Sequence, residues 1–555
     1  MNKISKILSF RLPALAACLL FLLTGCAFVS ILGIENDEAL FASGVFKPYA
    51  IAYKYPWGRA GLPVMLMSYL GALKSWIYRP IFQEFGTGIW AMRLPMLLAA
   101  AATVWLFYLL LRRVAGLRAA LFGCALLATD SLYLLTSCFD WGPVALQHLL
   151  ILSGMLLLLG FYQRRSHSWL AWGCYLLGLA MWDKALAAWM LGGISLALIL
   201  VFPKQIVRVM TLRGVAIAVL AFALGALPLI VYNFAKPLAT FRGNASWDTS
   251  ELAQKGRLLA ATVDGGGLFG WLNMEGWQTH DPHLPHGALE AASARISALA
   301  RHPRHSLLLY AFVLALLLAP LARSHALRAI LFALLAMAIA WAQMAVTAGA
   351  GGSVHHAILL WPLPQMIIAI SFAAASRRLH GVGIPSLALV LAVLMVSGLL
   401  VTNEYRALIV RNGGSPGWTD AIFRLNGYLK GVPADNVFCM DWGIMDSLRL
   451  LSSGKLPLRV GTDPINKPSL DDADRQNLAR TISEPRQLFI NHTRNFEFFP
   501  GINDKLVDYA AAAGYRREVM AVISDSYGRP VYEVYRFVAN PGQPPHFRRS
   551  LPEIR

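Results

Sequence analysis

The stretch IWAMRLPMLLAAAATVWLFYLLLRRVAGLR, from Ile89 to Arg118, decides the class of fold. From Ile89 to Leu111 it holds one ionisable residue, Arg93, and it then closes on Arg112, Arg113 and Arg118 with no acidic residue between them. An apolar run of about 20 residues is long enough, as a helix, to cross about 30 Å of hydrocarbon. Basic residues crowded at one end mark the cytoplasmic side of such a helix. The same pattern recurs outward in both directions, giving about eleven expected spans near 12–32, 89–111, 119–137, 143–162, 169–182, 185–202, 214–232, 306–322, 329–348, 356–375 and 384–401. The fifth is short, and Trp182-Asp183-Lys184 reads either as the turn after it or as a kink in one long hairpin.

Composition agrees. Of 555 residues, 57% are hydrophobic and 14% charged, against about 25% charged in an ordinary soluble domain. One large water-soluble globule is therefore excluded. The net charge of +19 is read loop by loop rather than as a nucleic-acid signature, because alternate connections differ in sign. Lys3, Lys6 and Arg11; Arg112, Arg113 and Arg118; Arg164 and Arg165; Lys204, Arg208 and Arg213; Arg323 and Arg328; and Arg377 and Arg378 occupy one set, without an acid. The amino terminus is thus expected in the cytoplasm, and an odd span count sends the carboxyl-terminal tail to the outside. The expected fold is a polytopic α-helical membrane protein, residues 1–401, with outer loops 33–88 and 233–305, followed by an extracytoplasmic α/β domain, residues 402–555. In that tail Gly417–Leu429 reads as helix, Asn436–Met440 and Gln487–Ile490 as strands, and Glu518–Val538 as two strands around Tyr527-Gly528-Arg529-Pro530. Gly61–Ile81, interrupted by Lys74 and Arg79, reads as a helix lying in the interface. Leu23-Thr24-Gly25-Cys26 fits a lipoprotein cleavage box, but ten further apolar runs favour a plain first span.

Polar residues gather at the expected outer ends of the spans, and ionisable groups at membrane depth are candidates for function because they are costly. Glu35-Asn36-Asp37-Glu38 packs three carboxylates into four residues, which suits a general base or a divalent cation; simple solvation is the plainer reading. Asp140 stands between Phe139 and Trp141 in a short turn, where a helix cap explains it equally well. Lys184 interrupts an apolar run and calls for a phosphate or a carboxylate partner. Gly349–His356 brings glycines beside His355 and His356, which offer donors or acid/base chemistry. His280, Asp281, His283 and His286 have a metal-like look, with a solvated loop as the plainer reading.

Asp37-Glu38-Ala39 after the first span, Arg93-Leu94-Pro95 and Arg112-Arg113-Val114-Ala115-Gly116 bounding the second, Ala119–Thr129 leading to Asp140, and Gly178-Leu179-Ala180 before Lys184 together resemble the C-type membrane glycosyltransferases (GT-C). The likeness is strongest to glycosyltransferase family 39, protein mannosyltransferases and aminoarabinose transferases. It covers roughly residues 25–200. It implies a hexosyl or pentosyl transferase that moves a sugar from a polyprenyl-phosphate donor to an acceptor hydroxyl or phosphate on the outer side, with inversion. On that resemblance Asp37 is the general base, Glu38 and Asp140 orient acceptor or sugar, and Lys184 holds the leaving phosphate. The acceptor is a lipid, a glycan or a protein; no nucleic acid is implied. No cofactor is required, although the acidic cluster permits a divalent cation. The resemblance places the protein in the inner (plasma) membrane, multi-pass.

Two departures matter. Relatives often place an Arg soon after the acidic pair, where this chain has Leu40 and Phe41, and a cation before the late Leu-Pro pair, where it has His355 and His356. The expectation is that His355 or His356 replaces that cation at the phosphate and makes phosphate holding pH-dependent, with Lys54 and Arg59 as weaker contacts. The alternative function is a non-catalytic transporter or flippase of a lipid-linked sugar, but repeats and mid-membrane breaks are not evident.

Overall fold

The computed structural model describes residues 3–47, 51–59, 61–275 and 283–541, with side chains from Arg11 onward. Helix α1 (Lys3–Cys26) leads into the short α2 (Asn36–Leu40), a two-stranded hairpin of β1 (Tyr53–Tyr55) and β2 (Leu62–Met65), and α3 (Leu73–Phe85). Then come α4 (Ile89–Val114), α5 (Leu117–Ala128), α6 (Ser131–Cys138), α7 (Val144–Arg164), α8 (His167–Asp183), α9 (Ala187–Val201) and α10 (Pro203–Val209). They are followed by α11 (Leu212–Gly225), α12 (Leu227–Ala235), α13 (Leu252–Val263), α14 (Ala288–Leu299), α15 (Leu308–Leu318), α16 (Ser324–Ala345), α17 (Val354–Ala357), α18 (Leu363–Ser376) and α19 (Gly383–Asn412).

Among the described residues, four helices are long and apolar enough to cross a membrane: Ile89–Val114, Val144–Arg164, Ser324–Ala345 and His380–Asn412. Four bent pairs, such as α5 with α6 at 56° and α9 with α10 at 95°, raise the number to eight if each is one span. The expected apolar runs are largely helical, but three break within the run, at Thr129-Asp130, Ala226 and Trp361-Pro362, where no mid-membrane break was evident from the sequence. Arg11–Cys26 and Leu308–Leu321 are shorter apolar helices, and α8 has 17 residues. The count of about eleven therefore exceeds what length and composition support. The chain is a multi-pass membrane protein on the lower count as well.

Two of the basic connections meet one another: Arg377 donates to Ala115 O at 3.0 Å and Arg118 to Ser376 Oγ at 3.4 Å. The C-terminal domain packs against the segment after α1, where Ser43 donates to Asp446 and Ser447 to Ile34 O.

Gly61–Ile81 departs from the expected interfacial helix. Gly61, at φ +73°, follows the hairpin turn, β2 pairs antiparallel with β1, and helix begins only at Leu73. Gly71 explains the extended approach: a Cβ there would lie 1.9 Å from the Trp182 carbonyl oxygen, so only glycine lets this strand reach the end of α8. Gly71 N donates to Asp183 O at 3.0 Å and Ala185 N to Tyr69 O at 2.9 Å, which ties the first outer loop to the Lys184 turn.

Helix α19 runs eleven residues past the expected end at 401, so the domain proper begins after Asn412. It contains α20 (Ala421–Gly431), β3 (Asn436–Cys439), α21 (Met445–Leu451), β4 (Leu458–Val460), α22 (Asp472–Ser483), β5 (Gln487–His492), α23 (Ile502–Ala512), β6 (Tyr515–Ser524) and β7 (Pro530–Ala539). Strand order is β4-β3-β5-β7-β6, parallel across β4, β3 and β5 and antiparallel beyond. Leu425, Ile444 and Leu448 pack against Val437, Leu488 and Val534 on one face; Leu478, Leu506 and Tyr509 pack against Phe489 and Phe537 on the other. The α/β expectation holds, and the strands foreseen lie where the alternation indicated.

Candidate active site

The acidic cluster does not act as one patch. Glu35 precedes α2 and its carboxylate accepts from Glu38 N at 3.0 Å, capping the helix. Glu38 points the other way, into a bidentate pair with Arg93, Nε to Oε1 at 2.7 Å and Nη2 to Oε2 at 2.8 Å. Arg93 is 1% exposed and also donates to the carbonyls of Val29, Leu32 and Gly33, while its guanidinium lies 4.7 Å from the Phe139 ring centroid. All its charge is thus spent on holding the first outer loop against α4. Glu38, expected to orient substrate, is instead a brace, because both of its oxygens are taken.

Asp140 is similarly occupied. Its Oδ2 lies 3.0 Å from Lys74 Nζ and its Oδ1 accepts from Ala145 N at 3.3 Å, so the capping role and a buried ion pair coexist. Lys74 is 1% exposed, sits 3.8 Å over the Phe41 ring and also donates to Asp140 O.

Asp37 and Lys184 close no ion pair among the described residues, and neither does buried Asp183 beside Lys184. Asp37 is half-buried on the free side of α2, with Lys184 and Asp446 as its charged neighbours beyond the cluster and Tyr69 beside it. Burial raises the Asp37 carboxyl, partly offset by a hydrogen bond from Asn36 and by the Lys184 charge. Lys184 is 4% exposed, and its ammonium meets a carbonyl, Gly142 O at 3.5 Å; among the described residues no carboxylate comes close enough to pair with it. Burial lowers it to about 8, opposed first by Asp37 and then by Asp183 and Asp140. A carboxyl raised by burial thus lies within electrostatic reach of a buried cation that has no close anion.

His355 and His356 lie within electrostatic reach of Lys184. The Trp141 indole N–H donates to His355 Nδ1 at 2.9 Å. An indole only donates, so Nδ1 carries a lone pair and the ring is neutral, able to donate through Nε2 alone. The expected replacement of a cation by His355 therefore fails in this geometry. His356 is partly buried against Trp189, and its Nδ1 has no partner. Lys54 and Arg59 are exposed on the β1–β2 hairpin and stand outside the buried layer.

Sequence reasoning missed the parts played by Lys74 and Arg93. Their signal was present, a lone cation at Arg93 in one apolar stretch and Lys74 with Arg79 in another, since a cation in such a stretch demands a partner when buried. It also missed Asp446 on α21, which accepts from Ser43 Oγ at 3.0 Å and whose N–H reaches Asn36 Oδ1 at 3.4 Å. Of the metal-like group, His280 and Asp281 lie outside the described residues, and the His283 ring is tilted against Tyr527, with centroids 4.3 Å apart. Among the described residues no three His, Cys, Asp or Glu side chains are grouped to hold a metal ion.

Residues 71–232 match the family described as dolichyl-phosphate-mannose-protein mannosyltransferase, a segment that includes Lys74, Arg93, Asp140 and Lys184 but begins after Asp37. No curated protein matches the chain by sequence. Among solved structures it is similar to ArnT from Cupriavidus metallidurans bound to undecaprenyl phosphate, with TM-score 0.55 and 14% identity over 96% of this chain and 98% of that one. The apo state of the same protein gives TM-score 0.54 and 13% identity over the same shares. At such identity the likeness speaks for the fold. Helical bundle, docked α/β domain and the matched segment together make the chain a protein of the C-type membrane glycosyltransferase fold.

Proposed function

We propose that the protein transfers a sugar from a polyprenyl-phosphate donor to an acceptor at the outer face of the inner membrane, with inversion and with Asp37 as general base. The observation that supports this most directly is that Asp37 and Lys184 lie within electrostatic reach of each other and neither closes an ion pair, while Lys74 with Asp140 and Arg93 with Glu38 do. Asp37 withdraws the proton from the acceptor nucleophile as its oxygen attacks the anomeric carbon. Lys184 meets the phosphate oxygens on which negative charge grows as the glycosidic bond breaks. Its lack of a competing carboxylate keeps that attraction for the leaving group. Lys74 and Arg93 act at one remove, fixing Asp140 and α2. No divalent cation is needed for this division of labour.

The test is release of polyprenyl phosphate from a labelled donor by purified protein, with Lys184→Gln in parallel. Release is expected from the wild type and a strong loss from the variant; wild-type protein that releases nothing with any donor sugar removes the reading. The outside placement is checked by a C-terminal alkaline phosphatase fusion, expected to be active.

The pH profile follows from the two groups. Activity needs ionised Asp37, so it falls as pH drops through a limb above the ordinary carboxylate value of about 4. It needs the Lys184 ammonium, so it falls again as pH rises through about 8. A profile of kcat/KM flat from pH 6 to 10 would contradict the Lys184 assignment, and the absence of any acid limb above about pH 4 that of Asp37.

A further inference from the structure

Between the first outer loop and the C-terminal domain lies a pocket of about 210 Å³ apart from the site above. Phe46 and Lys47 of the loop form one wall; Arg449 and the segment from Gly454 to Arg459 form the rest. Four of the lining residues are cationic, Lys47, Arg449, Lys455 and Arg459, and none is acidic. Like charges gathered around so small a volume repel one another, and a multivalent oxyanion relieves the repulsion. Two Arg forks with two ammonium groups match the tetrahedral oxygens of a phosphate. Arg449 uses Nη1 on Asp446 at 2.8 Å and Arg459 uses Nε on Asn436 at 3.0 Å, each one donor of a five-donor fork.

The pocket's position narrows the ligand. Gly454, at φ +73°, sits so close to the loop that a Cβ would lie 2.8 Å from Phe46 Cβ. Ser453 Oγ lies 2.7 Å from Thr87 Oγ1, two residues before the membrane helix α4 begins. Phe85 and Trp90 on either side of Thr87 are exposed, as aromatic side chains are where a bilayer meets water. The cationic wall is therefore at headgroup height.

We propose that this pocket binds the phosphate headgroup of a lipid in the outer leaflet. Arg449 joins the pocket to Asp446, which in turn contacts Asn36 and Ser43 on either side of Asp37, so the lipid would share a residue with the loop that carries the base. The binding itself does not depend on the transferase reading.

The experiment measures binding of short-chain phosphatidic acid to the full-length chain in detergent, against phosphatidylcholine of the same chain length and inorganic phosphate. Phosphatidic acid is expected to bind more tightly than either, and more weakly as salt rises. Lys455→Glu with Arg459→Glu, both exposed, is expected to weaken it by at least roughly tenfold; Lys47→Glu serves if that double variant unfolds. Asp37→Asn is expected to bind as wild type does, which separates this inference from the catalytic one. Equal affinity for phosphatidylcholine, unchanged affinity in the charge-reversed variants, or equal binding of inorganic phosphate would each overturn it.

Discussion

Exchanging Asp37 for Asn is expected to lower sugar transfer by about 10²–10⁴-fold while leaving the protein folded and able to bind donor. The change is nearly isosteric and removes a half-buried carboxylate that closes no ion pair, so stability has little to lose. What it loses is the acceptor for the nucleophile's proton. A second, independent sign accompanies it. The Asp37 charge is the largest influence holding the Lys184 ammonium up against burial, so in the variant the alkaline limb of whatever activity remains moves below about 8. Activity within threefold of wild type, or an unmoved alkaline limb, would show that the two groups do not share a site.

Arg93→Met is expected to be the most destabilising substitution, by about 3–5 kcal/mol, read as a fall in the thermal midpoint of the detergent-solubilised protein. The loss has two parts: Glu38 is left as an unpaired buried carboxylate, and the carbonyls of Val29, Leu32 and Gly33 lose their donor. Arg93→Met with Glu38→Leu is expected to recover part of it, because an absent charge costs less than an orphaned one. A single-variant cost under about 1 kcal/mol would mean that water reaches the pair and that the loop is held otherwise.

Much of this was legible in the sequence for a simple reason. Long apolar runs such as Leu94–Leu111 have one cheap conformation in hydrocarbon, and the sign of the connecting loops orders them. Asp37 and Lys184 stood out because an ionisable residue at such a depth demands an explanation. Partnership did not stand out. Nothing local in Glu35-Asn36-Asp37-Glu38 says that the last carboxylate turns toward Arg93, 55 positions later, and leaves Asp37 unpaired. The hairpin at 53–65 was hidden because Gly61–Ile81 is apolar without a clear period, and the close approach at Gly71 is a tertiary demand. The neutral state of His355 follows from Trp141, a neighbour 214 positions away. In the tail, β4 is three residues long and too short to carry an alternation.

The contact between Ser43 and Asp446 spans 403 positions, and that between Ile34 and Ser447 spans 413. A ribosome threads the helices into the bilayer long before it has made either Asp446 or Ser447, and domains fold in the order they emerge. The segment bearing Asp37 is therefore inserted early and set late, when the last folded unit closes on it. During synthesis the chain therefore carries its helices with the Asp37 loop still lacking its contacts to Asp446 and Ser447.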